Sequence, residues 1–416
     1  MDGTPMKKTT MVLATAALSL ILFGCPPKTE NAAGTTDAGS GEIVIGEYGS
    51  MTGGQATFGT STHHGIMLAI EEINAAGGVN GRKLKVLSED DQSKPEEAAN
   101  TVTKLISQNN VIAVLGEVAS SSSLAAAPIC QANKVPMITP SSTNEGVTKV
   151  GDYIFRMCFI DPYQGEAMAN YLTRQAHTTN AALLIDSKSD YSTGLGAAFK
   201  KTFLANGGRI TIEQSYAQGD SDFKSQLTAI KATNPQVIFV PGYYNDIGQI
   251  AIQARDLGMK QPLAGGDGWE SPKLFEIGGK SLEGCFYSNH YHVDDPSPAV
   301  QNFVQKYQEK WSAKPDALAA LGYDAARVLA DALKRAGGTD GPKLRDAIAA
   351  TKNFSGVTGM ITLGPDRNPI GKKLAILEIK NGTTILKATV DPSAGSPASA
   401  TTTGTAATTA TTNSAQ

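Results

Sequence analysis

Apolar residues fall into short blocks along the chain, and the blocks alternate between two periods. Ile43-Val44-Ile45-Gly46 starts a short buried strand. A glycine-rich loop over 49–59 leads into a helical pattern over 60–76. There Ile66, Ala69, Ile70 and Ile73 draw one buried stripe, and Gly77-Gly78 stops it. Leu84-Lys85-Val86-Leu87 is the next strand. Lys94-Pro95 opens a helix whose apolar face is Val102, Leu105 and Ile106, with Pro where its missing N–H costs little. A strand over 111–115 follows. The rhythm then begins afresh, with strands predicted over 181–185, 209–214, 237–240 and 263–266. The helices between them span 194–206, 223–231 and 246–257. Three helices (300–311, 318–336 and 341–350) and two strand-like runs (359–363 and 375–380) close the series, and Asn381-Gly382 turns the chain. Two such sets of β-α-β units predict an α/β protein of two doubly wound, three-layer lobes, each a mostly parallel sheet with helices on both faces.

The ends break the rhythm. Lys7-Lys8 precede an apolar run over 11–23 that is too short to span hydrocarbon as a helix and has the length of a signal h-region. It ends Leu22-Phe23-Gly24-Cys25, which resembles a bacterial lipoprotein cleavage site; an ordinary secretory signal with an incidental cysteine is the alternative. Residues 1–24 are thus expected to be a signal, with Cys25 the lipidated first residue of the mature chain and 25–41 a flexible tether. Residues 391–416 are dominated by Thr, Ala and Ser with Asp391 as the lone charged side chain, and are expected to be a disordered tail. With 416 residues the chain is long enough for two cores, and four cysteines are too few for a disulfide-built scaffold. A formal charge of −3, with no basic stripe, argues against nucleic acid as a partner.

In open α/β sheets ligands sit beyond the carboxyl ends of the strands, and three loops there carry chemistry. Gly116-Glu117-Val118-Ala119-Ser120-Ser121-Ser122-Ser123 places hydroxyls and backbone N–H groups at a helix start, which suits a carboxylate. Met137-Ile138-Thr139-Pro140-Ser141-Ser142-Thr143-Asn144 adds more hydroxyls. Gly265-Gly266-Asp267-Gly268-Trp269 holds a carboxylate beside an indole. Each alone reads equally as helix capping or turn formation. Together they describe a site with an anion end, a cation end and aromatic walls, which fits a zwitterion. The chain has no phosphate-binding glycine loop, no dinucleotide fingerprint, no nucleophile elbow and no H-E-x-x-H pattern, so no enzyme, cofactor or metal is expected. His290-Tyr291-His292 reads as a surface loop near a crossover rather than as a metal site, and Cys130, Cys158 and Cys285 as buried small hydrophobes.

In order along the chain, Gly49-Ser50-Met51-Thr52-Gly53, Ile73-Asn74-Ala75-Ala76-Gly77-Gly78-Val79-Asn80-Gly81, Glu89-Asp90-Asp91, Ser120 to Ser123, Ile138-Thr139-Pro140 and Tyr191-Ser192-Thr193-Gly194 form a set. It resembles the substrate-binding proteins of branched-chain amino acid ABC transporters, of the leucine/isoleucine/valine-binding type, over residues 42–389. The resemblance implies two lobes joined by a three-strand hinge, with the ligand in the interlobe cleft. Lobe 1 would be 42–160 plus 291–364, and lobe 2 would be 161–290 plus 365–390. Carried over by position, Ser120, Ser141 and Thr143 would bind the ligand carboxylate, and Ser141, Thr143 and Asp267 the ammonium. Phe58, Tyr191, Tyr243, Trp269 and Leu318 would form the side-chain pocket. Branched-chain receptors often have Tyr where Phe58 stands and Glu where Asp267 stands, which leaves the preferred amino acid open. The disulfide of some members would fall at Ser93 and Ala119. The resemblance further implies a monomeric, membrane-anchored protein of the periplasm or cell surface that delivers a free L-amino acid to an ABC permease. An amino-acid sensor for a receptor, or a binder of small polar amino acids, amides or aromatic acids, remains open, as does a purely structural envelope protein.

Overall fold

The computed structural model describes residues 41–392. The expected signal, Cys25, nearly all of the tether, and residues 393–416 of the expected tail lie outside the described residues. The first sheet holds β1 (Ile43–Gly49), β2 (Leu84–Asp90), β3 (Val114–Leu115), β4 (Met137–Thr139) and β5 (Ile154–Arg156) in the order β2-β1-β3-β4-β5, all parallel. Its helices are α1 (Ala56–Ala75), α2 (Pro95–Ser107), α3 (Ser120–Asn133) and the short α4 (Gly146–Lys149). The alternation of side chains along these strands explains why both faces are covered. Leu115, Ile138 and Phe155 enter one core with α1, while their neighbours Val114, Met137 and Ile154 enter the other with α2 and α3.

The second sheet follows α5 (Asp161–Asn170), which runs on into a π-helical turn at Tyr171–Gln175. It is built from β6 (Asn180–Asp186), β7 (Arg209–Tyr216), β8 (Val237–Phe239), β9 (Leu263–Gly265) and β10 (Phe286–Asn289), with α6 (Asp190–Ala205), α7 (Lys224–Ala232), α8 (Tyr244–Asp256) and α9 (Pro272–Gly278) between them. The chain then returns to the first sheet through α10 (Pro298–Trp311), α11 (Ala317–Ala336), α12 (Gly341–Ala349) and the hairpin of β11 (Phe354–Gly356) and β12 (Gly359–Ile361). It ends on β13 (Leu374–Lys380) and β14 (Thr383–Val390), which extend the second sheet antiparallel in the order β14-β13-β10-β9-β8-β6-β7. The backbone thus passes between the sheets after β5, after β10 and after β12. The two-lobed α/β class is the one the apolar pattern predicts.

Local chemistry shifts several boundaries. Ser189 caps α6 by accepting the Ser192 amide at 3.2 Å, so the helix starts at Asp190, four residues earlier than the apolar stripe indicates. α5 escapes the pattern because its small and polar residues bury on several sides at once and leave no single stripe. Asn381-Gly382 proves to be a hairpin turn, and β14 returns along β13.

The first lobe depends on one close helix crossing. A methyl carbon added at Gly65 of α1 would lie 1.9 Å from the Ala319 carbonyl oxygen of α11, and one at Gly322 would lie 2.6 Å from the Thr62 oxygen. These glycines let α1 and α11 touch backbone to backbone, and both helices begin at the cleft, bringing Phe58 and Leu318 there. Gly65→Ala is expected to lower unfolding free energy by about 1–3 kcal/mol or more through overpacking, measured by urea denaturation, with Gly338→Ala as a control because nothing lies within 4 Å of its added carbon.

Candidate functional site

Where the carboxyl ends of the two sheets face one another, a narrow space of about 230 Å³ is lined by Phe58, Val118, Ser141, Thr143 and Leu318 from the first lobe and by Tyr191, Tyr243, Asp267 and Gly268 from the second. Seven of the residues expected from sequence meet here; Val118 and Gly268 are additions.

Asp267 supplies the negative end. It follows β9 in a single 3₁₀ turn and is buried. Gln164 of α5 holds it twice: Gln164 Nε2 donates to Asp267 Oδ1 at 2.9 Å, and Gln164 Oε1 accepts the Asp267 amide at 3.3 Å. The same amide nitrogen donates to Asp161 Oδ1 at 2.9 Å, and Oε1 also accepts Ser288 Oγ at 2.8 Å. All four hydrogen-bonding positions of the glutamine are therefore used. His290 Nε2 lies 2.9 Å from Asp267 Oδ2. Burial, with the nearby Asp267 charge, pushes the Asp161 carboxyl up to about 7. Two carboxyl groups thus surround one neutral amide, an arrangement that favours arrival of a cation.

The first lobe's buried carboxyl at the cleft is held toward its neutral form. Glu117, below Val118, takes the Ser50 amide at 3.0 Å and the Ala119 amide. The Ser50 hydroxyl has one proton and lies 2.9 Å from Asp91 Oδ1 and 3.1 Å from Glu117 Oε1, so a proton on one carboxyl lets both contacts be full hydrogen bonds. Burial and the Asp91 charge push Glu117 up to about 8, which makes it the proton carrier at neutral pH. The loop bearing Ser141 and Thr143 is fixed from behind by the fully buried Arg156, which donates to the Ser142 carbonyl at 2.6 Å and the Asn144 carbonyl at 2.9 Å. Ser142 Oγ in turn donates to the Glu117 carbonyl at 2.9 Å. Among the described residues no three His, Cys, Asp or Glu side chains group to hold a metal.

The walls are aromatic. Tyr191 and Tyr243 stack with centroids 5.1 Å apart, and Phe58 meets Tyr243 edge-on at 5.5 Å across the cleft. Tyr191 Oη also accepts the Gly268 amide at 3.0 Å, pinning the Asp267 turn. The rims touch: Ser121 Oγ lies 2.8 Å from Asp190 Oδ2, Asn144 Nδ2 donates to the Asp190 carbonyl at 2.7 Å, and Thr57 and Ser271 hydroxyls are 2.9 Å apart. The cleft is closed.

Two expected site residues stand off the pocket lining, and His290 lies elsewhere than its sequence pattern indicated. Trp269 does not line the pocket: its indole lies flat over Gly265, stacks near Tyr287 and donates to the Val240 carbonyl at 3.0 Å. Ser120 is buried but stands outside the lining, its hydroxyl accepting the Asn144 amide at 3.2 Å, so it braces the Ser141–Thr143 loop. His290 is not on a surface loop; its side chain is 2% exposed. Cys130, Cys158 and Cys285 are free and buried, as their reading as small hydrophobes requires. Sequence reasoning missed Gln164, Arg156 and Glu117. Only Glu117 left a signal, as a carboxyl at the end of an apolar strand.

Two α/β lobes closed on a small cleft with a charged end have the form of a ligand-capturing protein. The chain belongs to the periplasmic binding protein family, whose model matches residues 42–384. It is 30% identical over 319 residues (76% of this chain, 84% of the relative) to the leucine-, isoleucine-, valine-, threonine- and alanine-binding protein of Pseudomonas aeruginosa. The leucine-binding protein LivK of Thermotoga maritima superimposes with a TM-score of 0.82 at 39% identity, covering 85% of this chain and 99% of that one. LivJ of Streptococcus pneumoniae, a branched-chain amino acid transporter substrate-binding protein solved with isoleucine, gives 0.80 at 33% identity, covering 84% and 100%.

The raised carboxyls fix the sign of a pH effect. Asp161 and Asp246 (each up to about 7) and Glu117 (about 8) bind protons in the folded chain that their unfolded forms release above about pH 4.5. Their stabilisation is present below the unfolded values and is lost as pH rises through 7–8. The ligand-free protein should therefore melt several degrees higher at pH 5 than at pH 8. Asp161→Asn keeps an acceptor for Gln164 and removes the charge, so calorimetric scans should show a flatter pH profile and a higher midpoint at pH 8.

Proposed function

We propose that the protein captures a free L-amino acid, branched-chain by first preference, outside the cytoplasm and hands it to an ABC permease. The observation that carries this reading is the placement of Asp267 across a closed, aromatic-walled space from the Ser141 and Thr143 loop. Asp267 takes the ammonium with help from Ser141 and Thr143. Ser120, Ser141 and Thr143 take the carboxylate, with the buried Arg156 adding positive charge behind their loop. Phe58, Val118, Tyr191, Tyr243 and Leu318 surround the side chain. A buried ammonium needs a counter-charge and a buried carboxylate needs convergent donors. The relative that binds leucine, isoleucine, valine, threonine and alanine, and the isoleucine bound by LivJ, support the choice of side chain.

On this reading the lobes are 42–160 plus 291–364 and 161–290 plus 365–390, hinging where the chain passes between the sheets. Opening breaks the Ser121–Asp190 and Thr57–Ser271 contacts and admits the ligand; closure buries it. Cys25 carries the lipid that holds the monomeric protein at the membrane, and residues 25–41 give it reach.

Calorimetry on refolded, ligand-stripped protein tests the site. Leu, Ile or Val should bind, and Asp267→Ala should weaken binding about 10²–10³-fold, since an unpaired buried charge costs roughly 3–5 kcal/mol. Thr143→Ala should cost about tenfold or somewhat more, as for one hydrogen bond to a charge. Unchanged affinity in Asp267→Ala would remove the ammonium assignment. The anchor is tested separately: Cys25→Ala should move the protein from the membrane fraction to the soluble one.

A further inference from the structure

His290 is unusual for a residue that contacts no ligand. It stands directly after β10, where the chain leaves the second lobe, and its side chain is 2% exposed. Its ring stacks on Phe159 with centroids 3.9 Å apart. Nε2 is 2.9 Å from Asp267 Oδ2, while Nδ1 is buried with no hydrogen-bond partner among the described residues. A carboxylate only accepts, so Nε2 carries the proton and Nδ1 is a bare acceptor. The imidazole is then neutral, and burial favours that form.

We propose that His290 is a specificity-determining positioning residue: as a neutral donor it fixes the Asp267 carboxylate toward the cleft without cancelling its charge, and so reserves that charge for the ligand's ammonium group. Gln164 on the other oxygen is likewise neutral. A lysine or arginine in either place would pair with Asp267 permanently and compete with the ligand. The other titratable groups around His290 are few. Asp161 faces it through Gln164, Lys372 lies on the returning strand segment with its ammonium on the Thr358 carbonyl at 3.0 Å, and the buried Cys158 thiol is pushed up to about 12 and stays neutral. Lys372 opposes a second positive charge at His290, and Asp267 favours it.

This inference rests on the ammonium role of Asp267, so the experiment separates the two. Calorimetry would compare leucine with 4-methylpentanoate, the same carboxylate and side chain without the ammonium, at pH 8. The proteins would be the full chain, His290→Gln, His290→Leu and Asp267→Asn. Gln keeps an N–H to donate; Leu keeps the apolar stack on Phe159 and removes the donor. The expected result is that the preference for leucine falls tenfold or more in His290→Leu and is restored in His290→Gln. If His290→Leu does not fold, His290→Met takes its place as the apolar variant. Wild-type preference in the apolar variant, while Asp267→Asn loses the preference, would overturn the role of His290. No preference for leucine in the wild type and none lost in Asp267→Asn would overturn the ammonium site, and this inference with it.

Discussion

A carboxylate held unpaired inside a closed cleft is the constraint on which the rest of this structure depends. Removing a charge from water is costly unless a partner replaces the solvent. Here the immediate partners of Asp267, Gln164 and His290, are neutral donors, and a further carboxyl, Asp161, shares the same glutamine. The ligand-free closed state is thus electrostatically incomplete at one end. A ligand cation completes it, and that differential interaction can shift a population of lobes from open to closed.

The two lobes divide this work. The second supplies the charge and the tyrosine pair, each placed by a helix or turn that starts at a strand end: Tyr191 in the first turn of α6, Tyr243 just before α8, Asp267 after β9. The first supplies the hydroxyl loop and the Phe58 and Leu318 walls, held by the glycine-mediated contact of α1 and α11. Neither lobe alone makes a binding site. The Ser121–Asp190 contact, two exposed hydrogen bonds, and the Thr57–Ser271 contact, one half-buried hydrogen bond, are weak and therefore suited to a latch rather than a weld.

Much of this was legible in the chain. Alternating strand and helix periods give the two-lobed class, and the loops after β3, β4 and β9 give the polar positions, because in such folds the strand ends are where ligands sit. Hydroxyls and a carboxylate in those loops marked them as candidates, but the individual roles of Ser141, Thr143 and Asp267 came from the family resemblance. Phe58, Tyr191, Tyr243 and Leu318 came from family resemblance. What stayed hidden depends on partners far apart in sequence. Gln164 lies 103 residues from Asp267, and its role exists only once α5 packs beneath the turn. Arg156 reads as one more strand residue until the Ser142 and Asn144 carbonyls fold onto it. Trp269 was misplaced because an indole beside Asp267 looks like a pocket wall, whereas the neighbouring Gly265 opens a slot that draws it into the lobe interior.

The most direct test of the account is a crystal structure with leucine bound. The account predicts the ammonium nitrogen about 2.7–3.2 Å from an Asp267 carboxylate oxygen, the ligand carboxylate on the Ser141 and Thr143 loop, and the side chain among Phe58, Val118, Tyr191, Tyr243 and Leu318. A ligand lying in the reverse orientation, or one whose ammonium stands away from Asp267 in a closed cleft, would contradict it.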